Sequence, residues 1–97
     1  MLKSQYKLFF STLGNMTRLE IIQALRKGPM NVTELTKKLS CKQSTTSHNL
    51  KRLVRCNFIY VKQDGQYRYY RLNKETIEPL LKIIDNHANK YCKKLCR

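Results

Sequence analysis

The run Lys42-Gln43-Ser44-Thr45-Thr46-Ser47-His48-Asn49-Leu50-Lys51-Arg52-Leu53-Val54-Arg55 carries the densest set of chemically useful side chains in the chain. Wound as a helix, it sets Thr46, Leu50, Leu53 and Val54 on a core-facing side and leaves Ser44, Ser47, His48, Lys51, Arg52 and Arg55 largely around the rest of the circumference. Those polar types match nucleic acid. Gln43 can pair bidentately with adenine, Ser44 and Ser47 can bond to bases or phosphate, and His48 can donate or accept at a base edge. Lys51, Arg52 and Arg55 suit phosphate oxygens, which set register without reading sequence. The competing account makes Ser44, Thr45 and Ser47 ordinary polar surface, but Ser and Thr are indifferent helix formers and their number here argues against it.

The cysteines offer a second chemistry. Cys92 and Cys96 stand at i, i+4, so one helical face would present two thiols, and Lys90, Lys93 and Lys94 nearby favour their ionisation. Thiolates suit soft ions such as arsenite, cadmium or copper(I), with His87 or a cysteine of a second subunit completing the shell. The alternative is two small apolar residues near the chain end. Cys41 and Cys56 read as small core residues, and no C-x-x-C spacing supports a structural zinc ribbon or finger.

Six elements must position these groups. Leu2, Tyr6, Phe9, Phe10 and Leu13 form one helical stripe that Gly14 ends. Thr17 to Glu20 has the form of a capping box opening a second helix, in which Leu19, Ile22 and Leu25 recur at helical spacing up to Gly28-Pro29. Asn31 and Glu34 cap a third, burying Val32, Leu35 and Leu39. The polar run from Gln43 is the fourth, and two short-linked helices of this kind make a helix-turn-helix. After Asn57 the period falls to about two, with Ile59 and Val61 before Asp64-Gly65 and Tyr67, Tyr69 and Leu72 after it, a hairpin pattern. Ile77, Leu80, Leu81, Ile84, Ala88, Tyr91 and Leu95 then hold a final helical stripe starting near Thr76.

Lys62, Gln66 and Arg68, with Gln63 and Arg71, give the hairpin the composition of a wing lying along a DNA backbone or minor groove. Its tyrosines could also stack on single-stranded bases, although alternation in a hairpin more often means packing and cross-strand pairs. The last helix carries more apolar surface than so small a core can cover. Leu2, Tyr6, Phe9, Leu81, Ile84, Ala88 and Tyr91 are therefore expected to meet a second copy in a two-fold interface.

Charge narrows the function classes. Twenty Lys+Arg against six Asp+Glu leave +14 on 97 residues, and a polyanion is the natural partner because neutralising phosphates releases counterions. Broad architectural DNA binding, without operator or inducer, is the alternative to sequence-specific binding. Catalysis is disfavoured by the absence of a Gly-rich phosphate loop, paired acids or an activated nucleophile. The longest apolar run, Phe58 to Val61, is far short of a bilayer span, and the N-terminus has no secretory pattern, so a cytoplasmic location is expected.

Leu13 to Ile22, Val32-Thr33-Glu34-Leu35, Gln43 to Leu53, Gly65 and Tyr70-Arg71-Leu72 together resemble the ArsR/SmtB family of repressors, in order over about residues 6 to 75. The resemblance implies a mainly α winged helix-turn-helix fold (α1-α2-α3-α4-β-β-α5), and a length of 97 residues suits one domain over 1–97. It also implies dimerisation through the terminal helices, repression and release by an inducer, and two recognition helices in a two-fold dimer call for a roughly palindromic duplex operator. No cofactor is required. Lys42 stands where the family commonly has Ser, exchanging a helix cap for a phosphate-reaching charge, and Asn57 stands where Gly is usual. The family's sensing positions hold Asn31, Thr33, Lys74, Thr76 and Lys90, with only His87 retained, which leaves a soft metal or arsenite at Cys92/Cys96 as the inducer expected.

Overall fold

The computed structural model describes residues 3–93. Leu2, Lys94, Leu95 and Cys96, named above, lie outside the described residues. The order is α1 (Ser4–Leu13), α2 (Met16–Leu25), α3 (Val32–Leu39), α4 (Gln43–Arg55), β1 (Ile59–Asp64), β2 (Tyr67–Leu72) and α5 (Ile77–His87), with a π-helical turn over Ala88–Cys92. This is the order read from the residue pattern and the winged helix-turn-helix architecture that the family resemblance implies.

Local chemistry explains the boundaries. At α3 the capping box forms in full: Glu34 N–H donates to Asn31 Oδ1 (2.8 Å) while Asn31 N–H donates to Glu34 Oε1 (2.9 Å). At α2 the cap is Asn15, not Thr17. The Arg18 amide donates to Asn15 Oδ1 at 3.0 Å, and the expected Thr17–Glu20 box does not open the helix. Asn15 wins because the chain is extended there immediately after α1 closes, and Asn is among the strongest N-caps. Ser40 and Asn57 turn the chain out of α3 and α4 with φ of 54° and 59°, a left-handed geometry that Asn tolerates better than most residues.

The core collects Ile21, Ile22 and Leu25 of α2, Leu35 of α3, Leu50 and Leu53 of α4, Phe58, Ile59 and Leu72 of the hairpin, and Ile77 and Leu81 of α5. Strands β1 and β2 pair antiparallel from Ile59↔Leu72 to Asp64↔Tyr67. The two-residue turn is thus Gly65-Gln66, one residue later than Asp64-Gly65, with Gly65 at φ +64°, as the first central position of a II′ turn demands. The hairpin is fastened to the helices by reciprocal bonds between Met30 and Tyr70, with N–H to O distances of 3.1 and 2.9 Å. The pleat puts Tyr70 and Leu72 inward and leaves Tyr67 exposed, so the inward tyrosine is Tyr70.

Buried Asn73 ends the wing and starts α5, its Oδ1 accepting from the Glu75 and Thr76 amides at 3.0 and 3.3 Å. Arg26, the residue that closes α2, then holds α5 through Asp85 (2.9 Å) and Glu78 (3.4 Å). The Glu78 contact is an ion pair only, since that buried oxygen lacks a donor in hydrogen-bonding geometry. Leu81, expected in the subunit contact, is instead consumed by the protomer's own core, 3% exposed. It sits one turn beyond buried Ile77, on the face of α5 that lies against the core. Phe9 likewise packs on Phe58, ring centroids 4.8 Å apart. On the terminal helices the apolar surface left open includes Tyr6, Leu8 and Phe10 on α1 and Ile83, Ile84 and Tyr91 on the last helix, with Ala88 half-buried; elsewhere Met16 of α2 and Tyr60, Val61 and Tyr67 of the hairpin are also exposed.

Candidate nucleic-acid interface

Helix α4 is amphipathic, with Thr46, Asn49, Leu50 and Leu53 buried and its opposite side open. Between that open side and the hairpin runs a groove lined by Ser44, Ser47, His48 and Lys51 of α4 and by Arg68 and Tyr70 of β2. Five residues picked out by type and spacing, Ser44, Ser47, His48, Lys51 and Arg68, are therefore brought to one concave surface by elements that are separate in sequence. Its hydroxyl, imidazole, ammonium and guanidinium groups supply the mixture of base-edge and phosphate partners that duplex recognition uses.

Lys42 and Gln43 lie exposed at the start of α4, and Lys42 makes no side-chain cap. The first-turn amides of α4 thus keep a field that favours anions, with the Lys42 charge beside them. Thr45 is half-buried, and its carbonyl accepts from Asn49 Nδ2 (2.9 Å). Arg55 is exposed at the far end of α4. On the wing, Gln66 occupies the turn, in a hollow shared with Asn31 and Thr33 at the start of α3. Lys62 pairs opposite Tyr69 on the other face of the hairpin, in a hollow with Pro29 and Arg71. The wing therefore carries cations on both faces rather than one.

Arg52 departs from the expected phosphate set. Its Nε donates to Thr12 Oγ1 (3.1 Å) and an Nη reaches Ser11 Oγ (3.4 Å), so the side chain folds back onto α1. The physical reason is a neighbour remote in sequence: α1 packs close enough to α4 to offer hydroxyl acceptors where helix geometry alone suggests open solvent. Beside it, Arg18 donates from Nε to the Thr12 carbonyl (2.7 Å), from Nη1 to Asn49 Oδ1 (3.0 Å) and from Nη2 to the Ser11 carbonyl (3.1 Å). Burial, and then the adjacent Arg52 charge, lower the Arg18 pKa, while Cys56 acts in the opposite sense. Arg18, Thr12 and Asn49 were not among the site residues expected from type and spacing. Asn49 gave a signal: a polar residue three positions from Thr46, on the buried side of α4.

At the chain's other end, His87 is exposed against the Tyr91 ring, centroids 4.9 Å apart, and Cys92 is half-buried. Among the described residues no group of three His, Cys, Asp or Glu side chains gathers as a metal site, and no helix there is long and apolar enough to cross a membrane.

Residues 15–61, spanning α2 to the first half of β1, match the model of the bacterial regulatory protein family arsR. The chain is 36% identical over 78 residues to the arsenical resistance operon repressor of Bacillus subtilis (strain 168), covering 79% of this chain and 74% of that protein. NolR from Sinorhizobium fredii superposes with a TM-score of 0.77 at 28% identity, over 90% of this chain and 84% of the other. A homodimeric winged helix-turn-helix DNA-binding domain from Mycobacterium bovis, of a possible ArsR-family transcriptional regulator, reaches 0.85 at 23% identity, over 93% and 83%, and shares the fold. With its helix-turn-helix, its wing and these likenesses, the chain belongs to the ArsR family of bacterial transcriptional regulators, a family of DNA-binding proteins and not of enzymes.

Proposed function

We propose that this chain is a sequence-specific repressor acting as a homodimer on a roughly palindromic duplex operator. The observation that carries the reading is the shared groove of Ser44, Ser47, His48, Lys51 and Arg68 between α4 and the wing. Gln43, Ser44, Thr45, Ser47 and His48 enter the major groove, where a recognition helix contacts bases with its first turns. Lys42, Lys51 and Arg55 hold phosphates beside it, and Lys62, Gln66 and Arg68 lie along the adjacent backbone or minor groove. Tyr6 of α1, with Ile84, Ala88 and Tyr91 of the last helix, meets a second copy; the exposure of Phe10 and Ile83, 64% and 66%, supports this. Buried Leu81 is not part of that contact.

The test is selection of bound fragments from random duplex DNA by reduced protein at near-physiological salt. The expected product is an inverted repeat with half-sites about one or two helical turns apart. Retention of duplex with no enriched motif would instead identify an architectural protein. The relative named as an arsenical resistance operon repressor supports arsenite, or a soft metal ion, as the inducer at Cys92 and Cys96 with His87. Arsenite is expected to release the wild-type protein from the selected site and to leave a Cys92→Ser, Cys96→Ser double variant bound; equal release of both rejects that inducer site.

A further inference from the structure

The half-buried guanidiniums of Arg18 and Arg52 turn toward α1 rather than into the groove, behind the reading head. Thr12 is fully buried and Asn49 is 7% exposed. Around them Arg18 bridges Thr12 and Ser11 of α1 to Asn49 of α4, Arg52 bridges α4 back to Ser11 and Thr12, and Thr12 Oγ1 donates to the Leu8 carbonyl at 2.7 Å. Asn49 is held in turn by its bond to the Thr45 carbonyl. This network joins the helix bearing exposed Tyr6, Leu8 and Phe10 to the helix whose other face carries Ser44, Ser47 and His48. Directional, charge-assisted bonds fix an angle between helices more sharply than apolar packing, which tolerates sliding.

We infer that Arg18, Thr12, Asn49 and Arg52 are positioning residues that lock recognition helix α4 to dimer helix α1, and so set which half-site spacing the dimer accepts. The inference rests on the dimeric repressor reading. In a two-fold dimer, any tilt of α4 against α1 is doubled between the two reading heads. A change of one base pair moves the half-sites by about 3.4 Å and about 34° along the duplex, so a firm α1–α4 joint makes spacing a selected property. Arg52 belongs to the joint, and its charge is not a phosphate contact.

The experiment repeats the random-duplex selection with wild type, Asn49→Leu, Asn49→Asp, Thr12→Val and Arg52→Gln, each checked for helical content by circular dichroism. Wild type is expected to enrich one spacing. Asn49→Leu and Thr12→Val are expected to enrich the same half-site at several spacings, whereas Asn49→Asp, which keeps the acceptor for Arg18, retains one. A merely destabilised protein loses active fraction without changing its spacing choice. Should Asn49→Leu not fold, Thr12→Val and Arg52→Gln carry the test; a single spacing for every folded variant overturns the inference. In parallel, binding to a random-sequence duplex is measured against salt. Arg52→Gln is expected to keep the wild-type slope, while Lys51→Gln reduces it by about one per subunit; a reduction for Arg52→Gln overturns its place in the joint. No motif for wild type overturns the dimeric reading itself and removes the spacing inference with it, whereas a wild-type motif with unchanged variants removes the inference alone.

Discussion

Ser47 and His48 are exposed on the groove side of α4, and neither is hydrogen-bonded to another side chain among the described residues, so truncating them leaves the fold intact and tests recognition alone. His48→Ala and Ser47→Ala are expected to weaken binding to the preferred site by about 1–3 kcal/mol each while sparing binding to unrelated duplex. Lys51→Ala is expected to weaken all duplexes alike. Titration of each variant on selected and scrambled duplex decides it; equal losses on both for all three would reject the assignment. Residue chemistry was legible where it depended on local spacing. The groove-facing character of Ser44, Ser47, His48 and Lys51 follows from which positions of α4 are apolar. Arg52 was not legible in the same way, because its acceptors, Thr12 and Ser11, lie about forty residues away and only the packing of α1 on α4 brings them near.

The elements owe their boundaries to short-range bonds that can be removed singly. Asn31→Ala deletes the side-chain half of the α3 capping box and should cost about 1 kcal/mol, lowering Tm by roughly 4–8 °C for a domain of this size. An unchanged melting curve would mean that the box adds nothing to a helix already pinned by Leu35. Phe58→Ala should cost about 3–5 kcal/mol, because that side chain is 2% exposed and joins α1 to the hairpin through Phe9. Denaturant unfolding measures it, and a loss below about 1 kcal/mol would contradict the packing described. Asn31 with Glu34 is a complete signal within four residues, which is why α3 was legible. Asn15 and Thr17 compete two residues apart, and the choice between them depends on where α1 lets the chain turn. The hairpin was recognisable from Asp64-Gly65, but its turn is Gly65-Gln66, and that shift in pairing decides which tyrosine faces inward.

At the scale of the whole molecule, amphipathic stripes show that a helix has an apolar side without saying what covers it. The core of one protomer takes Ile77 and Leu81 and leaves Ile83, Ile84 and Tyr91 uncovered, a division that depends on the tertiary path of α5 rather than on periodicity. Phe10→Glu is expected to shift the protein from dimer to monomer in sedimentation velocity and to abolish binding to an inverted repeat; a variant that stays dimeric would place the interface elsewhere. The net charge of +14 predicts strongly salt-dependent affinity for any duplex, so charge alone cannot distinguish a repressor from an architectural protein. The distinction lies in how α4 meets the bases. Methylation interference on the selected duplex tests it most directly, because methylating guanine N7 blocks the major groove and methylating adenine N3 blocks the minor groove. Guanine N7 interference is expected in two symmetric clusters, with adenine N3 interference confined to positions beside them where the wings lie. Binding indifferent to guanine N7 methylation throughout the site would contradict the placement of α4 in the major groove.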